Sequence, residues 1–350
     1  MFSINSLLRP NISRLTPYSS ARDEYKGREG IFLDANENPI GSPLGDTYNR
    51  YPDPLQVELK NKIAEIKNVH PAKIFLGNGS DEPIDILIRM LCTPASDAIL
   101  IAPPTYGMYE VSAHINDAKV IQVPLTQDYQ LDVEAMLNAV TPHTKIIFLC
   151  SPNNPTGNCM DNNDIEAILK NFSGLVVIDE AYTDFAPEKS LLPKLGQYPN
   201  MVILQTFSKA WGLAGLRLGM AFASEDIIQV MNKVKPPYNI NSLTQKIAQE
   251  VLNHSDKKNE MVNIILRERS FLKTALEQLM VVDKVFPSDA NFLLVKMKFH
   301  AKKIYNYLIA KKIITRDRSN VILCENSLRI TVGTHEENQS LISALQEYIS

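Results

Sequence analysis

The stretch Met201–Met220, MVILQTFSKAWGLAGLRLGM, decides how the rest of the chain is read. It opens with Val202, Ile203 and Leu204, an apolar run of the kind that fills a fully buried strand. Polar Thr206, Ser208 and Lys209 follow around Phe207, then Gly212, Gly215 and Arg217, then a second apolar run from Leu218 to Phe222. A lysine between a buried strand and a glycine-punctuated turn lies at a sheet edge, where α/β proteins place their ligands. Held partly desolvated, its amine has a depressed pKa and can attack a carbonyl to form a Schiff base. Ser208 and Arg217 suit a nearby anion, one through its hydroxyl and the other through a bidentate guanidinium. On this stretch alone the plainer reading, a surface lysine with Arg217 as an ion-pair partner, carries more weight. The flanking sequence reverses that.

The chain has 350 residues, 45% hydrophobic and 21% charged, enough for a sizeable core and two domains. A net charge of -3 argues against nucleic acid as a partner, so any anion site is local. Cys92, Cys150, Cys159 and Cys324 are scattered, and the six histidines form no ligand spacing. Neither a disulfide framework nor a metal site is expected, and a reducing cytoplasm is the expected location. The N-terminus lacks the apolar core of a signal peptide, and no apolar run is long enough to span a bilayer.

In order, residues 1–30 read as a mobile arm that Leu7, Leu8 and Leu15 could dock, broken by Pro10 and Pro17. Tyr18 follows a proline-fixed turn and reads equally as a packing residue. LDANENP (33–39) is an irregular polar loop, and RYPDP (50–54) is a rigid turn bearing Tyr51. Residues 55–68 have helical apolar spacing, with Asp53 as a possible cap. The strand at Ile74–Leu76 ends in GNGSDE (77–82) and a buried helix, the form of an anion site, although plain capping by Ser80 or Asp81 also explains it. Strands at Ala98–Ile101, 120–123 and 146–149 follow. After them come PTYGMY (104–109) and SPNNPTG (151–157), and Tyr106 is placed to lie against a flat ring. Val176–Ile178 leads into DEAY (179–182), where a carboxylate at the end of an apolar strand requires a cationic partner. A protonated pyridine nitrogen would serve.

One long helix is expected from Asn241 to about Met280, then a small α+β unit. Its strands are expected at 292–295, 313–317 and 328–332, and its helices at Ala301–Ala310 and 336–349. Arg329 alternates with Leu328 and Ile330, so it is either a solvated face residue or an anion clamp. The middle of the chain thus predicts an α/β fold, a mostly parallel sheet covered on both faces. A Schiff-base lysine beside a phosphate clamp at its strand ends is the arrangement expected for pyridoxal phosphate.

Together LDANENP, RYPDP, GNGSDE, PTYGMY, SPNNPTG, VIDEAY, TFSKAWGLAGLRLG and LRITVGT resemble the fold-type I pyridoxal-phosphate aminotransferases. Among these, histidinol-phosphate aminotransferases are the nearest match, and the resemblance spans almost the whole chain. It implies an arm over 1–30, a large cofactor domain over 31–260 and a small domain over 261–350. It implies pyridoxal 5′-phosphate bonded to Lys209 as an aldimine, with Lys209 also moving the substrate proton. Asp179 pairs with the pyridine nitrogen; Asn154 and Tyr182 bond the phenolic oxygen; Tyr106 stacks on the ring. Ser208, Arg217 and the N–H groups of Ser80 and Asp81 hold the phosphate, joined by Tyr51 from the other subunit of a homodimer. Tyr18, Asn36, Tyr51, Asn154, Arg316 and Arg329 meet the substrate. The implied reaction moves an amino group from glutamate to imidazole-acetol phosphate, giving 2-oxoglutarate and histidinol phosphate for histidine biosynthesis. The alternatives are an aromatic or broad-specificity aminotransferase, a threonine-phosphate decarboxylase of the same fold and, more remotely, a cofactor-binding regulatory domain.

Overall fold

The computed structural model of the chain describes residues 2–18, 30–45 and 48–348. Its larger sheet has seven strands: β1 Ile74–Asn78, β2 Ala98–Ile101, β3 Lys119–Gln122, β4 Thr144–Cys150, β5 Leu175–Asp179, β6 Met201–Thr206 and β7 Leu218–Phe222. Their order is β1-β7-β6-β5-β4-β2-β3. Neighbours among β2 to β6 are parallel, and β7 runs antiparallel to both β6 and β1. Successive side chains on a strand point to opposite faces. Here both faces are buried: Ile147, Leu149, Val176, Ile178 and Ile203 join one core, while Ile146, Phe148, Val177, Val202 and Leu204 join the other. That double burial is why these strands read as unbroken apolar runs.

Two glycines let the first and last strands of this sheet approach closely. Gly79, just after β1, has φ +67°, and a Cβ there would lie 2.5 Å from an Arg217 nitrogen. A Cβ on Gly219 of β7 would lie 2.3 Å from backbone atoms of Gly79 and Ser80.

The second sheet is antiparallel, with β8 Val282–Val285, β9 Phe292–Met297, β10 Arg316–Asp317 and β11 Ser327–Thr331 in the order β10-β11-β9-β8. Helices Ser255–Glu277, Ala301–Ala310 and His335–Glu347 supply Leu272, Ile304 and Leu341 to its core, against Leu293, Val295, Leu328 and Ile330. The last helix opens with a capping box between Thr334 and Glu337.

Several expectations are corrected. The helix expected from Asn241 to Met280 is divided: Ser242–Val251, a 3-10 turn at Leu252–His254, and Ser255–Glu277. Asn253, His254 and Ser255 sit at the break, residues with weak helix preference. The strand expected over 313–317 pairs only at Arg316 and Asp317, opposite Arg329 and Leu328. The strand β8 was not anticipated. Ser80 makes no side-chain cap bond; Glu82 instead accepts from the Asn78 N–H at 2.6 Å. Asp53 accepts from the Val57 N–H at 2.7 Å, so it does serve the start of the helix Val57–Lys67. The described part of the N-terminal arm is docked: Ile4 and Ile12 are buried, and the Arg9 guanidinium donates to the Arg89 carbonyl. Residues 19–29 of that arm lie outside the described residues. Among the described residues no helix is long and apolar enough to cross a membrane.

Candidate active site

The carboxyl ends of the parallel strands open into a cavity of about 690 Å³, a size suited to a small molecule. Ser80 and Asp81 line it after β1, Tyr106 after β2, Asn154 after β4, Asp179 and Tyr182 at the end of β5, and Ser208 and Lys209 after β6. Arg217 closes one side, and Arg316, Arg318 and Arg329 reach it from the second sheet.

Asp179 is the last residue of β5 and is 2% exposed. One carboxylate oxygen accepts from the Tyr109 hydroxyl at 2.7 Å and the other from the Ala181 N–H at 3.0 Å. Burial raises its pKa to about 6 in spite of both bonds. It is thus largely ionised at neutral pH, a state that Lys209 favours from beyond contact whenever its amine is protonated. A buried carboxylate without a contacting cation is costly, and a protonated pyridine nitrogen is the complement this donor set lacks.

Lys209 projects into the open cavity, 5.4 Å from the centre of the Tyr182 ring. Partial burial, then Arg329, lowers its pKa. That favours the neutral, nucleophilic amine. Tyr182 packs edge-on against Phe292, and the Arg329 guanidinium lies 5.4 Å from the same ring. Arg329 Nη1 also donates to Asn154 Oδ1, so the second sheet touches the SPNNPTG loop directly.

The expected phosphate end is built around Asp81, the first residue of the helix Asp81–Leu91. The first N–H groups of a helix have no partner within it and attract anions. Arg217, held at φ +52°, pairs with one Asp81 oxygen at 3.4 Å, and the Tyr106 hydroxyl donates to the other at 3.0 Å. The Arg217 pair is solvent-exposed, so an arriving phosphate displaces a weak contact. Thr206 Oγ1 donates to Ser208 Oγ at 3.0 Å and fixes that hydroxyl at the rim.

The cavity therefore gathers Lys209, Asp179, Tyr182, Ser80, Asp81, Tyr106, Asn154, Ser208, Arg217, Arg316 and Arg329. It does not include three others. Tyr51 and Asn36 line a different hollow of about 530 Å³, where Tyr51 stacks on Tyr238 with centroids 4.5 Å apart. Tyr18 is 73% exposed and lines neither. Two residues at the cavity were not anticipated, Tyr109 behind its wall and Arg318 on it. Signals for both exist. Tyr109 lies three residues after Tyr106 in PTYGMY, and Arg318 is two residues from Arg316, which on extended backbone puts both on one side. Among the described residues no His, Cys, Asp and Glu cluster could hold a metal.

The sequence profile of the family "Aminotransferase class I and II" matches residues 32–345. The chain is 60% identical over 347 residues to the histidinol-phosphate aminotransferase of Cytophaga hutchinsonii, covering 99% of each chain. It is 52% identical over 346 residues to that of Parabacteroides distasonis, again covering 99% of each. Among solved structures, the histidinol-phosphate aminotransferase of Sinorhizobium meliloti, in complex with pyridoxal-5′-phosphate, superimposes with a TM-score of 0.79 at 26% identity. That superposition covers 90% of this chain and 89% of the other. With fold, strand-end chemistry and full-length similarity in agreement, the chain belongs to the class I and II aminotransferases, pyridoxal-phosphate enzymes of fold type I, and within them to the histidinol-phosphate aminotransferase family.

Proposed function

We propose that this enzyme transfers an amino group from glutamate to imidazole-acetol phosphate, giving 2-oxoglutarate and histidinol phosphate for histidine biosynthesis. One observation carries the choice of a phosphate-bearing substrate. Arg316, Arg318 and Arg329 face the same cavity as Lys209, and among the described residues none has a carboxylate at ion-pair distance. Burial and mutual repulsion lower the pKa of both Arg318 and Arg329. Such a cluster is relieved by a dianion more than by a single carboxylate.

Bound pyridoxal phosphate supplies the electron sink for a carbanion at the substrate α carbon. Asp179 keeps the proton on the pyridine nitrogen. Lys209 is the covalent anchor and carries the proton to and from the α carbon through Nζ. Asn154 and Tyr182 bond the phenolic oxygen, and Tyr106 covers the ring. The backbone N–H groups of Ser80 and Asp81, with Ser208 and Arg217, hold the phosphate. Residues 1–30, 31–260 and 261–350 form the N-terminal arm, the large cofactor-binding domain and the small C-terminal domain.

The enzyme works in the cytoplasm as a homodimer, in which Tyr51, Asn36 and Tyr18 complete the other subunit's site. Their position outside the Lys209 cavity supports that reading, as do exposed apolar Ile31, Leu33, Ile40 and Leu44 on the same segment. The test of substrate is kcat/KM for histidinol phosphate against phenylalanine and tyrosine, with 2-oxoglutarate as acceptor. A preference of at least about a hundredfold for the phosphate is expected from two charge-assisted bonds. Equal or better use of the aromatic amino acids overturns the assignment.

A further inference from the structure

We infer that Tyr109 is a positioning residue that holds Asp179 in its ionised form, so that the shared proton stays on the cofactor's ring nitrogen rather than moving to the carboxylate. This inference rests on the pairing of Asp179 with that nitrogen proposed above. The Tyr109 side chain is completely buried, and its hydroxyl donates to Asp179 Oδ2 at 2.7 Å. The ring cannot turn away. It stacks on Phe148 with centroids 4.8 Å apart and 10° between planes, and it meets Tyr106 edge-on at 5.6 Å. The hydroxyl is therefore aimed at the carboxylate by packing from β4 and from the segment that follows β2.

The groups acting on Asp179 leave this role to Tyr109. Cys150 is its register partner on β4, and burial keeps that thiol protonated. Tyr106 and Tyr182 have raised pKa values and remain neutral phenols. Asp81 opposes ionisation of Asp179, and Lys209 favours it from a distance. Among the described residues the one other bond to the carboxylate is the Ala181 N–H on Oδ1. Burial also holds the Tyr109 phenol far above its ordinary pKa, so it remains a donor throughout the working range. A donor to the charged form of an acid strengthens that acid. Without it Asp179 becomes more basic and competes for the ring proton.

The test uses holoenzyme loaded with pyridoxal phosphate labelled with 15N in the ring, which reports directly where the proton sits. In Tyr109→Phe the ring 15N resonance should move toward the unprotonated pyridine value, and the acid limb of kcat/KM should rise by about one pH unit. Replacing Tyr109 with a difluorotyrosine, a stronger donor of the same shape, should move both readouts the opposite way or hold them at wild type. A purely structural tyrosine predicts no change of the 15N signal in either variant when the melting temperature is maintained, and that result overturns the inference. Asp179→Asn separates the two layers. If it leaves the 15N resonance in place, the Asp179–nitrogen pairing itself is wrong. If it shifts the resonance while Tyr109→Phe does not, only the role of Tyr109 fails.

Discussion

Arg329 Nη1 and Asn154 Oδ1 are hydrogen-bonded although Arg329 lies on β11 of the second sheet and Asn154 in the loop that follows β4 of the larger one. The bond joins the β11 strand to the SPNNPTG loop, so the proposed substrate clamp and the amide proposed to face the cofactor share one contact. Arg329→Ala should therefore do two things. It should lower kcat/KM for both glutamate and histidinol phosphate by roughly ten- to a hundredfold, the worth of a charge-assisted bond. It should also weaken cofactor retention, measured by dialysis, because Asn154 loses its orienting partner. Unchanged kinetics with both substrates would contradict the clamp.

Arg316 sits opposite Arg329 in the β10–β11 ladder, but at the exposed edge. Arg316→Ala and Arg318→Ala should each hurt histidinol phosphate more than glutamate, by about tenfold in the ratio of kcat/KM values. Equal losses on the two substrates would dissolve this division.

Lys209→Ala should abolish turnover and the covalent link to the cofactor that borohydride reduction traps, read by intact mass. A variant that keeps wild-type kcat would sink the assignment of Lys209.

Asp179 predicts an effect on stability as well as on rate. Its pKa is higher in the folded chain, about 6, than in an unfolded one. The folded state thus binds the proton more tightly, and the cofactor-free protein loses stability as pH rises from about 4 through about 6. Asp179→Asn removes that cost, which reaches up to about 3 kcal/mol at alkaline pH. The cofactor-free variant should melt higher than wild type at about pH 8, with the gap closing toward about pH 4. Its turnover should meanwhile fall by orders of magnitude. A cofactor-free variant that melts lower at every pH would refute the stored electrostatic cost.

Tyr51 can be placed by mixing chains. Tyr51→Phe and Lys209→Ala parents, each weak alone, are combined under conditions of subunit exchange. If Tyr51 serves the partner's site, each heterodimer has one doubly defective site and one intact site, and activity rises above the weighted sum of the parents. Heterodimers verified by mass that show no gain would mean that Tyr51 acts within its own chain.

Much of this molecule was legible because its chemistry sits where buried strands end. Strands β2 and β5 to β7 are bounded by abrupt changes from apolar to polar residues, so Asp179, Lys209 and Arg217 stood out. Less legible were features set by tertiary contact. In β8 only Val282 and Val285 are buried around exposed Asp283 and Lys284, too weak a pattern for a strand. The break at Leu252–His254 carries no proline or glycine to announce it. Tyr109 looked like one aromatic among several, because its importance lies in a bond to a residue 70 positions away. Tyr18, Asn36 and Tyr51 lie away from the Lys209 cavity of their own chain, a separation that local sequence patterns do not encode.

The pairing of β1 with β7 has a consequence for synthesis. On the larger sheet β1 has β7 as its neighbour, so Ile74 finds its ladder partner only when Phe222 has been made. The turn at Gly79 and Ser80 is likewise braced by Gly219 and Arg217. A growing chain carries an apolar β1 without its β7 partner until well over half of it has been translated, and the proposed grip on the cofactor's phosphate has the same requirement. The interval before the large sheet closes is when the nascent chain most needs protection from aggregation.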